Sequence, residues 1–266
     1  MTEPREFATL TVERRGAVCE LTLCRPEIMN RFDDPLHVEF TAALRAVAAD
    51  SETRAVVLAS TGKVFSAGGD FEIMRTAHDD PAARRRIVDD GRALLTTLVD
   101  LPQPVVAAVQ GPAVGLGATV ALACDAVVAA RSAWIADTHV NIGLVAGDGG
   151  CVVWPQSIGM LLARRHLLTG DRLEAERAWQ LGVVSDLVDG PDDVLPAARA
   201  LAERIAALPP LAVQGTKRAL NRVSQQRVGE VLDLSFAHET ATLASDDLLE
   251  AIAAFEERRP GRYDGR

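Results

Sequence analysis

Two glycine-bearing segments in this sequence of 266 residues follow apolar runs that are typical of buried strands. The first segment is 65–71 (FSAGGDF), after the run 55–59, and the second is 110–117 (QGPAVGLG), after the run 105–109. Glycine at the carboxyl end of a strand lets the backbone turn sharply and exposes N–H groups. Two such groups that face one oxygen form an oxyanion hole, which stabilises negative charge on that oxygen. Alternatively, both segments are the tight turns that connections from strand to helix require.

Neither segment has the spacing of a nucleotide-binding motif. The glycines Gly111, Gly115 and Gly117 do not match GxGxxG, and GxxxxGK[ST] does not occur in the sequence. The sequence therefore argues against nucleotide phosphate sites of these two kinds.

Strands and helices alternate over the first half of the chain. The runs 55–59 and 105–109 are apolar without alternation, which is typical of parallel strands covered by helices on both faces. Residues 14–16 are predicted to turn between the first two strands, and Asp33 or Asp34 to cap the first helix. The predicted strands are 9–13, 18–23, 55–59, 105–109 and 126–129, and the predicted helices are 35–49, 81–99 and 116–123. This order indicates an α/β fold.

The last part of the chain has mostly helical periodicity. The predicted helices there are 155–168, 174–181, 194–207, 211–219, 230–244 and 248–256, and only 183–188 is strand-like. We therefore expect an α/β core over residues 1–190, which carries the site, and a helical region over 191–266. His37 and His78 are expected to face solvent.

Composition excludes several classes of protein. There are 28 Lys and Arg against 37 Asp and Glu, so the formal charge of −9 argues against nucleic acid and anionic membrane as main partners. The four cysteines lack CxxC spacing, which favours reduced thiols over disulfides or zinc. The apolar stretch 105–130 is interrupted by glycine, proline and aspartate, and the N-terminus has no apolar signal region. These features predict a cytoplasmic protein.

Motifs along nearly the whole chain resemble the enoyl-CoA hydratase/isomerase, or crotonase, superfamily. The matching residues are Arg25-Pro26-Glu27 with Asn30, FSAGGD at 65–70, the segment 104–125, Gly143-Leu144-Val145, Leu168–Asp171 (LTGD), Ala178, Leu181–Val184 (LGVV) and Lys217. The resemblance implies a ClpP-like spiral of ββα units with a C-terminal helical trimerisation region. It also implies a trimer or a dimer of trimers, and a coenzyme A thioester as substrate. No separate cofactor and no metal are expected.

The family's site residues carry over onto matching positions. The resemblance assigns the oxyanion hole to the backbone N–H groups of Gly69 and Leu116, which would hold the thioester oxygen as it becomes an enolate. The residues that the resemblance places around the substrate and coenzyme A are Arg25, Glu27, Phe65, Ala67, Gly68, Asp70, Phe71, Gly115, Phe255 and Arg258. Phe255 and Arg258 belong to a terminal segment that resembles the family's closing helix, or alternatively to a solvated basic tail.

Two catalytic positions depart from the family's pattern. Hydratases of this family carry one glutamate three residues after the second oxyanion position and another four residues before the following glycine. In this sequence the two positions hold Thr119 and His139. Hydration needs an acid and a base that together hold one water, and a threonine hydroxyl is not a base by itself. The sequence therefore supports thioester binding more strongly than ordinary hydratase chemistry.

His139 and Asp148 offer a replacement. A carboxylate that accepts from one ring nitrogen fixes the tautomer and leaves the other nitrogen to activate water. Alternatively, Asp148 is a helix N-cap and His139 a structural histidine. The stretch 137–155 resembles the branch that includes 6-oxocamphor hydrolase, which cleaves a carbon–carbon bond with a His and an Asp at this spacing. That branch has lost the FSAGGD segment and does not use coenzyme A. Because this chain keeps the segment, we expect a thioester in the oxyanion hole.

Three hypotheses about function follow. The first is an acyl-CoA enzyme, formally an enoyl-CoA hydratase or isomerase, in which His139 and Asp148 activate water or move a proton. The second is hydrolytic carbon–carbon cleavage of a β-keto-acyl-CoA. The third is a coenzyme A-binding protein without turnover, because both glutamates are missing.

Overall fold

Apolar runs form the centre of a six-stranded sheet in the computed structural model, which describes residues 7–266. The N-terminal residues 1–6, part of the segment in which the sequence predicts no signal region, lie outside the described residues. The strands of this sheet are β1 (Leu10–Arg15), β2 (Val18–Leu23), β3 (Ala55–Ser60), β4 (Val105–Val109), β6 (Ala126–Ala130) and β9 (Asp186–Val188), in the order β1-β2-β3-β4-β6-β9. β1 and β2 are antiparallel and all other neighbours are parallel.

A second, three-stranded sheet has the order β5-β7-β8. Its strands are β5 (Ala113–Val114), β7 (Trp134–Ala136) and β8 (Leu173–Glu174), none of which the sequence pattern predicted. Strands of two or three residues are too short to show an alternation of apolar and polar residues, so the sequence does not predict them. β5 lies inside the second glycine-bearing segment, and this sheet therefore positions the candidate oxyanion hole.

Helices cover both sheets. Their bounds are α1 (Asp34–Ala49), α2 (Phe71–Asp79), α3 (Pro81–Asp100), α4 (Leu116–Leu122), α5 (Gly150–Ile158), α6 (Met160–Thr169), α7 (Ala175–Gln180), α8 (Pro191–Ala206), α9 (Pro210–Arg227), α10 (Asp233–Leu243) and α11 (Asp246–Glu257). A π-helical turn, Val228–Leu232, joins α9 to α10. Asp33 caps α1 by accepting from the Leu36 N–H at 3.1 Å, as one of the two predicted alternatives has it.

Several predicted boundaries are wrong. The helix predicted over 155–168 is two helices, α5 and α6, separated by Gly159 with φ of +77°. The predicted turn 14–16 begins two residues too early, because Arg14 and Arg15 still pair with Cys19 and Val18. α2 was not predicted, and α9 extends eight residues past the predicted end at 219, to Arg227.

Helix α8 belongs to the packing of the main sheet. It follows the predicted boundary at residue 190, and it packs on β3, β4 and β6. Its buried residues are Val194, Ala198, Ala202 and Ala206. α9, α10 and α11 follow it in the predicted helical region 191–266.

The buried apolar side chains form two separate clusters. The main core contains both faces of the six-stranded sheet together with Trp154 and Phe236. The second cluster, which we call the cap cluster, is formed by Met74, Ala77, Ala83, Ile142, Leu144, Leu243, Leu248 and Ile252. The cap cluster joins α2 and the start of α3 to the end of α10 and to α11.

The four cysteines are free thiols, as the sequence predicts. Among residues 7–266, no helix is both long enough and apolar enough to span a membrane.

Candidate active site

The two glycine-bearing segments lie side by side. The N–H of Val114 donates to the Ser66 carbonyl at 2.9 Å, and the N–H of Phe65 donates to the Pro112 carbonyl at 2.9 Å. Gly68 has φ of +85°, and a Cβ at this position would lie 2.7 Å from the Val114 carbonyl oxygen. The close approach of the two backbones therefore requires glycine at position 68.

Gly69 and Leu116 present two backbone N–H groups at this junction. Leu116 is the first residue of α4, and the first N–H groups of a helix have no partner inside it. In the described part of the chain, neither N–H donates to a protein acceptor. Both residues line the same cavity. This is the arrangement that an oxyanion hole needs.

His139 lies beside these donors, between two carboxylates. Its Nδ1 is 2.7 Å from Asp137 Oδ1 and its Nε2 is 3.3 Å from Asp148 Oδ2. All three side chains are buried. A Cβ on Gly115 would lie 3.5 Å from His139 Cε1, so the ring packs directly against the second glycine-bearing segment.

The two carboxylates determine the charge of His139. Burial by itself lowers the pKa of His139, but the negative charges of Asp148 and Asp137 outweigh it and hold the pKa well above its usual value. Each ring nitrogen thus lies next to a carboxylate, an arrangement that favours the protonated ring. The prediction that His139 is itself the base requires the neutral ring, and it stays a prediction. Asp148 is a second candidate proton acceptor next to the cavity.

Asp148 is not a helix cap. The cap of α5 is Gly149, without a side-chain hydrogen bond, and Asp148 Oδ1 is buried with no hydrogen-bond partner. A buried carboxylate oxygen without a partner is costly, and such groups occur where a ligand or water completes the site. The structure thus favours the functional alternative for Asp148 over the capping alternative.

Glu239 adds a third carboxyl group that sequence analysis missed. It lies on α10, is 4% exposed, and its Oε2 has no hydrogen-bond partner. Burial and the negative charge of Asp148 raise the pKa of Glu239 well above its usual value. The raised pKa favours the neutral form of Glu239, which suits the role of an acid.

The cavity connects these groups with an apolar space. His139, Asp148 and Glu239 line it together with Gly69 and Leu116. The apolar side chains in its wall are Phe32, Ile73, Met74, Ile87, Leu144 and Leu243. Thr119 does not line this cavity; it is fully buried against Gly149, and its hydroxyl has no partner. Within residues 7–266, no group of three or more His, Cys, Asp or Glu side chains could hold a metal ion.

Comparisons with known proteins identify the family. The model of the enoyl-CoA hydratase/isomerase family matches residues 13–266. The chain belongs to this family. The 2,3-dehydroadipyl-CoA hydratase of Escherichia coli K12 is 34% identical over 263 residues, which are 98% of this chain and 100% of that protein. The 1,2-epoxyphenylacetyl-CoA isomerase of the same organism is 32% identical over 98% of this chain and 99% of that protein.

The same family appears among solved structures. An enoyl-CoA hydratase/isomerase from Mycobacterium paratuberculosis superposes with a TM-score of 0.89 at 37% identity, and the match covers 94% of this chain and 99% of that one. The predicted crotonase fold and family are thereby confirmed, and the chain is an enzyme of the enoyl-CoA hydratase/isomerase family.

The residues expected around coenzyme A are only partly available to a ligand. Both Oδ atoms of Asp33 accept from the Arg25 guanidinium, at 2.6 and 2.7 Å, so the charge of Arg25 is already neutralised. The side chain of Phe65 is fully buried in the main core and does not line the cavity, so its predicted place near the substrate stays a prediction. Asp70 caps α2 through the N–H of Glu72 and pairs with a neighbouring arginine.

Other members of this predicted set lie on the surface. Phe71 packs edge to face with Phe255, with ring centroids 5.5 Å apart, and this contact joins α2 to α11. Phe255 is 65% exposed, and Arg258 is an exposed left-handed residue at the end of α11. Glu27 is exposed, while Ala67 is partly buried. In this enoyl-CoA hydratase/isomerase, the two glycine-bearing segments are the best-formed part of the predicted site.

Proposed function

We propose that this chain adds water to a 2-enoyl-CoA thioester. The observation that carries the proposal is the single cavity that joins the N–H groups of Gly69 and Leu116 to Asp148 and Glu239. The family supports a coenzyme A thioester as substrate, and two of its named relatives act on acyl-CoA compounds. The two family glutamates are absent, but Asp148 and Glu239 supply a carboxylate and a neutral acid in the same space.

The reaction begins at the thioester oxygen. The N–H groups of Gly69 and Leu116 donate to it and stabilise the negative charge that develops there. Loss of one such donor typically lowers the rate by about 10²–10³. The Asp148 carboxylate, held by the His139 imidazolium, accepts a proton from water, and the water oxygen forms a bond to the β-carbon.

Electrons of the carbon–carbon double bond move onto the thioester oxygen as the enolate. Glu239 then donates its proton to the α-carbon, and the enolate returns to a thioester. The proton on Asp148 passes back to Glu239 to restore the starting charges, so that one water has been added. Asp137 takes no part in proton transfer; it fixes the ring of His139 through Nδ1.

A panel of 2-enoyl-CoA thioesters tests this proposal. Loss of the conjugated thioester absorbance and a mass increase of one water are expected for the parent protein. Asp148→Asn is expected to lower kcat by about 10²–10⁴, because an amide does not accept the proton. Asp192→Asn, at an exposed position in the first turn of α8, is the matched control.

Other outcomes would replace the proposal. Turnover of β-keto-acyl-CoA to an opened acid, without hydration of any 2-enoyl-CoA, would support carbon–carbon hydrolysis instead. Movement of the double bond without a gain of water would support isomerisation. Tight binding of thioesters without any turnover would support a binding protein.

A further inference from the structure

The cavity has a second, more exposed end between α1 and α3. Asp34 and His37 of α1 and Asp90 of α3 line it, next to the ring of Phe32. Asp34 is exposed and His37 and Asp90 are partly buried, whereas His139, Asp148 and Glu239 are all at most 7% exposed. The cavity thus runs from a buried reacting end to a polar mouth, which we define by Asp34, His37 and Asp90.

His37 has a fixed tautomer in its neutral form. Its Nδ1 lies 3.0 Å from the carbonyl oxygen of Asp33. A carbonyl oxygen only accepts, so Nδ1 carries the hydrogen, and Nε2 of the neutral ring is an acceptor. The ring of Phe32 packs edge to face against His37 with centroids 5.5 Å apart, which restricts the rotation of the imidazole.

The charges at the mouth are mostly negative. Burial raises the pKa of Asp90, and the negative charges of Asp34 and Asp89 act in the same direction. Asp70 also lines the cavity, but its charge is paired with Arg31 at 3.1 Å. Arg86 of α3 is exposed and has the smallest effect among the charges around Asp90. The mouth therefore offers acceptors and repels anions, including the phosphates of coenzyme A.

We infer that this mouth receives the far end of the acyl chain and selects acyl groups with a terminal hydroxyl over those with a terminal carboxylate. A hydroxyl donates to His37 Nε2 or to the Asp90 carboxylate, whereas a carboxylate meets like charge without a donor. The inference rests on the proposed function, because it takes the thioester to be at Gly69 and Leu116.

The test compares 2-enoyl-CoA thioesters of four to ten carbons that end in methyl, hydroxymethyl or carboxyl. For the chain length that fits best, kcat/KM is expected to be at least about tenfold higher for the hydroxyl than for the carboxylate. Asp90→Asn is expected to raise the carboxylate-to-methyl ratio by about tenfold, and His37→Phe to lower the preference for hydroxyl over methyl. Asp89→Asn, an equal charge change at the neighbouring exposed position, is expected to leave all three ratios unchanged.

Equal kcat/KM for the hydroxyl and carboxylate compounds at every chain length would overturn the inference. A change of the carboxylate-to-methyl ratio that is the same in Asp90→Asn and Asp89→Asn would also overturn it. Hydration of the methyl compounds in that case would leave the proposed function intact. If none of the thioesters is hydrated, the proposed function fails first. Dissociation constants of the matching saturated acyl-CoA thioesters then test the selectivity of the mouth. Tighter binding of the hydroxyl than of the carboxylate compound supports the inference, and equal affinities contradict it.

Discussion

Replacing Glu239 by glutamine is expected to stabilise the protein while it abolishes most of the activity. The pKa of Glu239 is raised by burial and by Asp148, from about 4.5 in the unfolded chain. A group with a raised folded-state pKa stabilises the fold fully below its unfolded pKa, and this contribution is lost as the pH rises through the folded pKa. Glutamine has a similar shape but does not ionise, so the free energy of unfolding of the variant does not fall with pH for this reason.

The size of the effect follows from the shift. Between the unfolded and folded pKa values, the variant gains up to about 1.4 kcal/mol of unfolding free energy per pH unit relative to the parent. Over the same range kcat is expected to fall by about 10²–10⁴, because an amide does not deliver the proton to the α-carbon. His139 titrates in both proteins, so its contribution largely cancels in the difference.

Urea unfolding between pH 5 and pH 8 measures this difference. The slope of free energy against urea is expected to stay the same, which would show that the change is in stability and not in compactness. Glu203→Gln, at an exposed position on α8, is the control and is expected to show no growth of the difference with pH. A difference between Glu239→Gln and the parent that is constant over this range would refute the assignment of a buried neutral acid.

Two further variants test the support of the site. Asp137→Asn removes the anionic partner of His139 Nδ1. We expect kcat to fall by roughly 10² and the alkaline limb of the pH profile of kcat/KM to move to lower pH. An alkaline limb that does not move would contradict the positioning role of Asp137. Gly147→Ala places a Cβ against Glu239 Oε2 and 2.7 Å from the Ser235 carbonyl, which is expected to cost about 1–3 kcal/mol in urea unfolding. Gly215→Ala, with open space around it on α9, is expected to stabilise the protein by about 0.5–1 kcal/mol instead, and equal effects of the two would contradict this packing argument.

Long elements with a clear period were predictable from the sequence. β4 has the predicted bounds, and β3 and α1 differ from the predicted ones by one residue. α2 was not predicted because it has nine residues and only two of them, Met74 and Ala77, are buried, although Asp70 is a good N-cap. The bounds predicted for the helix 155–168 are wrong because Pro155 lies inside α5 and Gly159 separates α5 from α6.

The site was predictable in part. The sequence indicated both glycine-bearing segments, and the structure brings His139 and Asp148 within 3.3 Å of each other. It did not indicate which carboxylate orients the ring, because Asp137 and Asp148 are equally able to pair with a histidine and only the loop geometry assigns Nδ1 to Asp137. His37, which the sequence predicts to face solvent, lines the cavity, because α1 packs against α3.

The spacing of Glu239 in the sequence indicates that it is buried. Phe236, Glu239 and Leu243 recur at helical spacing on one face of α10, and a glutamate between two buried apolar residues is unusual on such a face. A carboxyl group in this position needs either a partner or a function. The partner, however, comes from residues far away in the sequence, so its identity depended on the fold.

Helix α10 connects the main core to the cap cluster. Phe236 is anchored in the main core and Leu243 in the cap cluster, and Glu239 lies between them on the same helix. The predicted oxyanion donor Leu116 belongs to the main core, whereas Gly69 lies beside Met74 of the cap cluster. A small displacement of one core against the other therefore changes the separation of the two predicted donors and the position of Glu239 together. We expect substitutions deep in either core, without any contact to substrate, to act on the proposed reaction in this way.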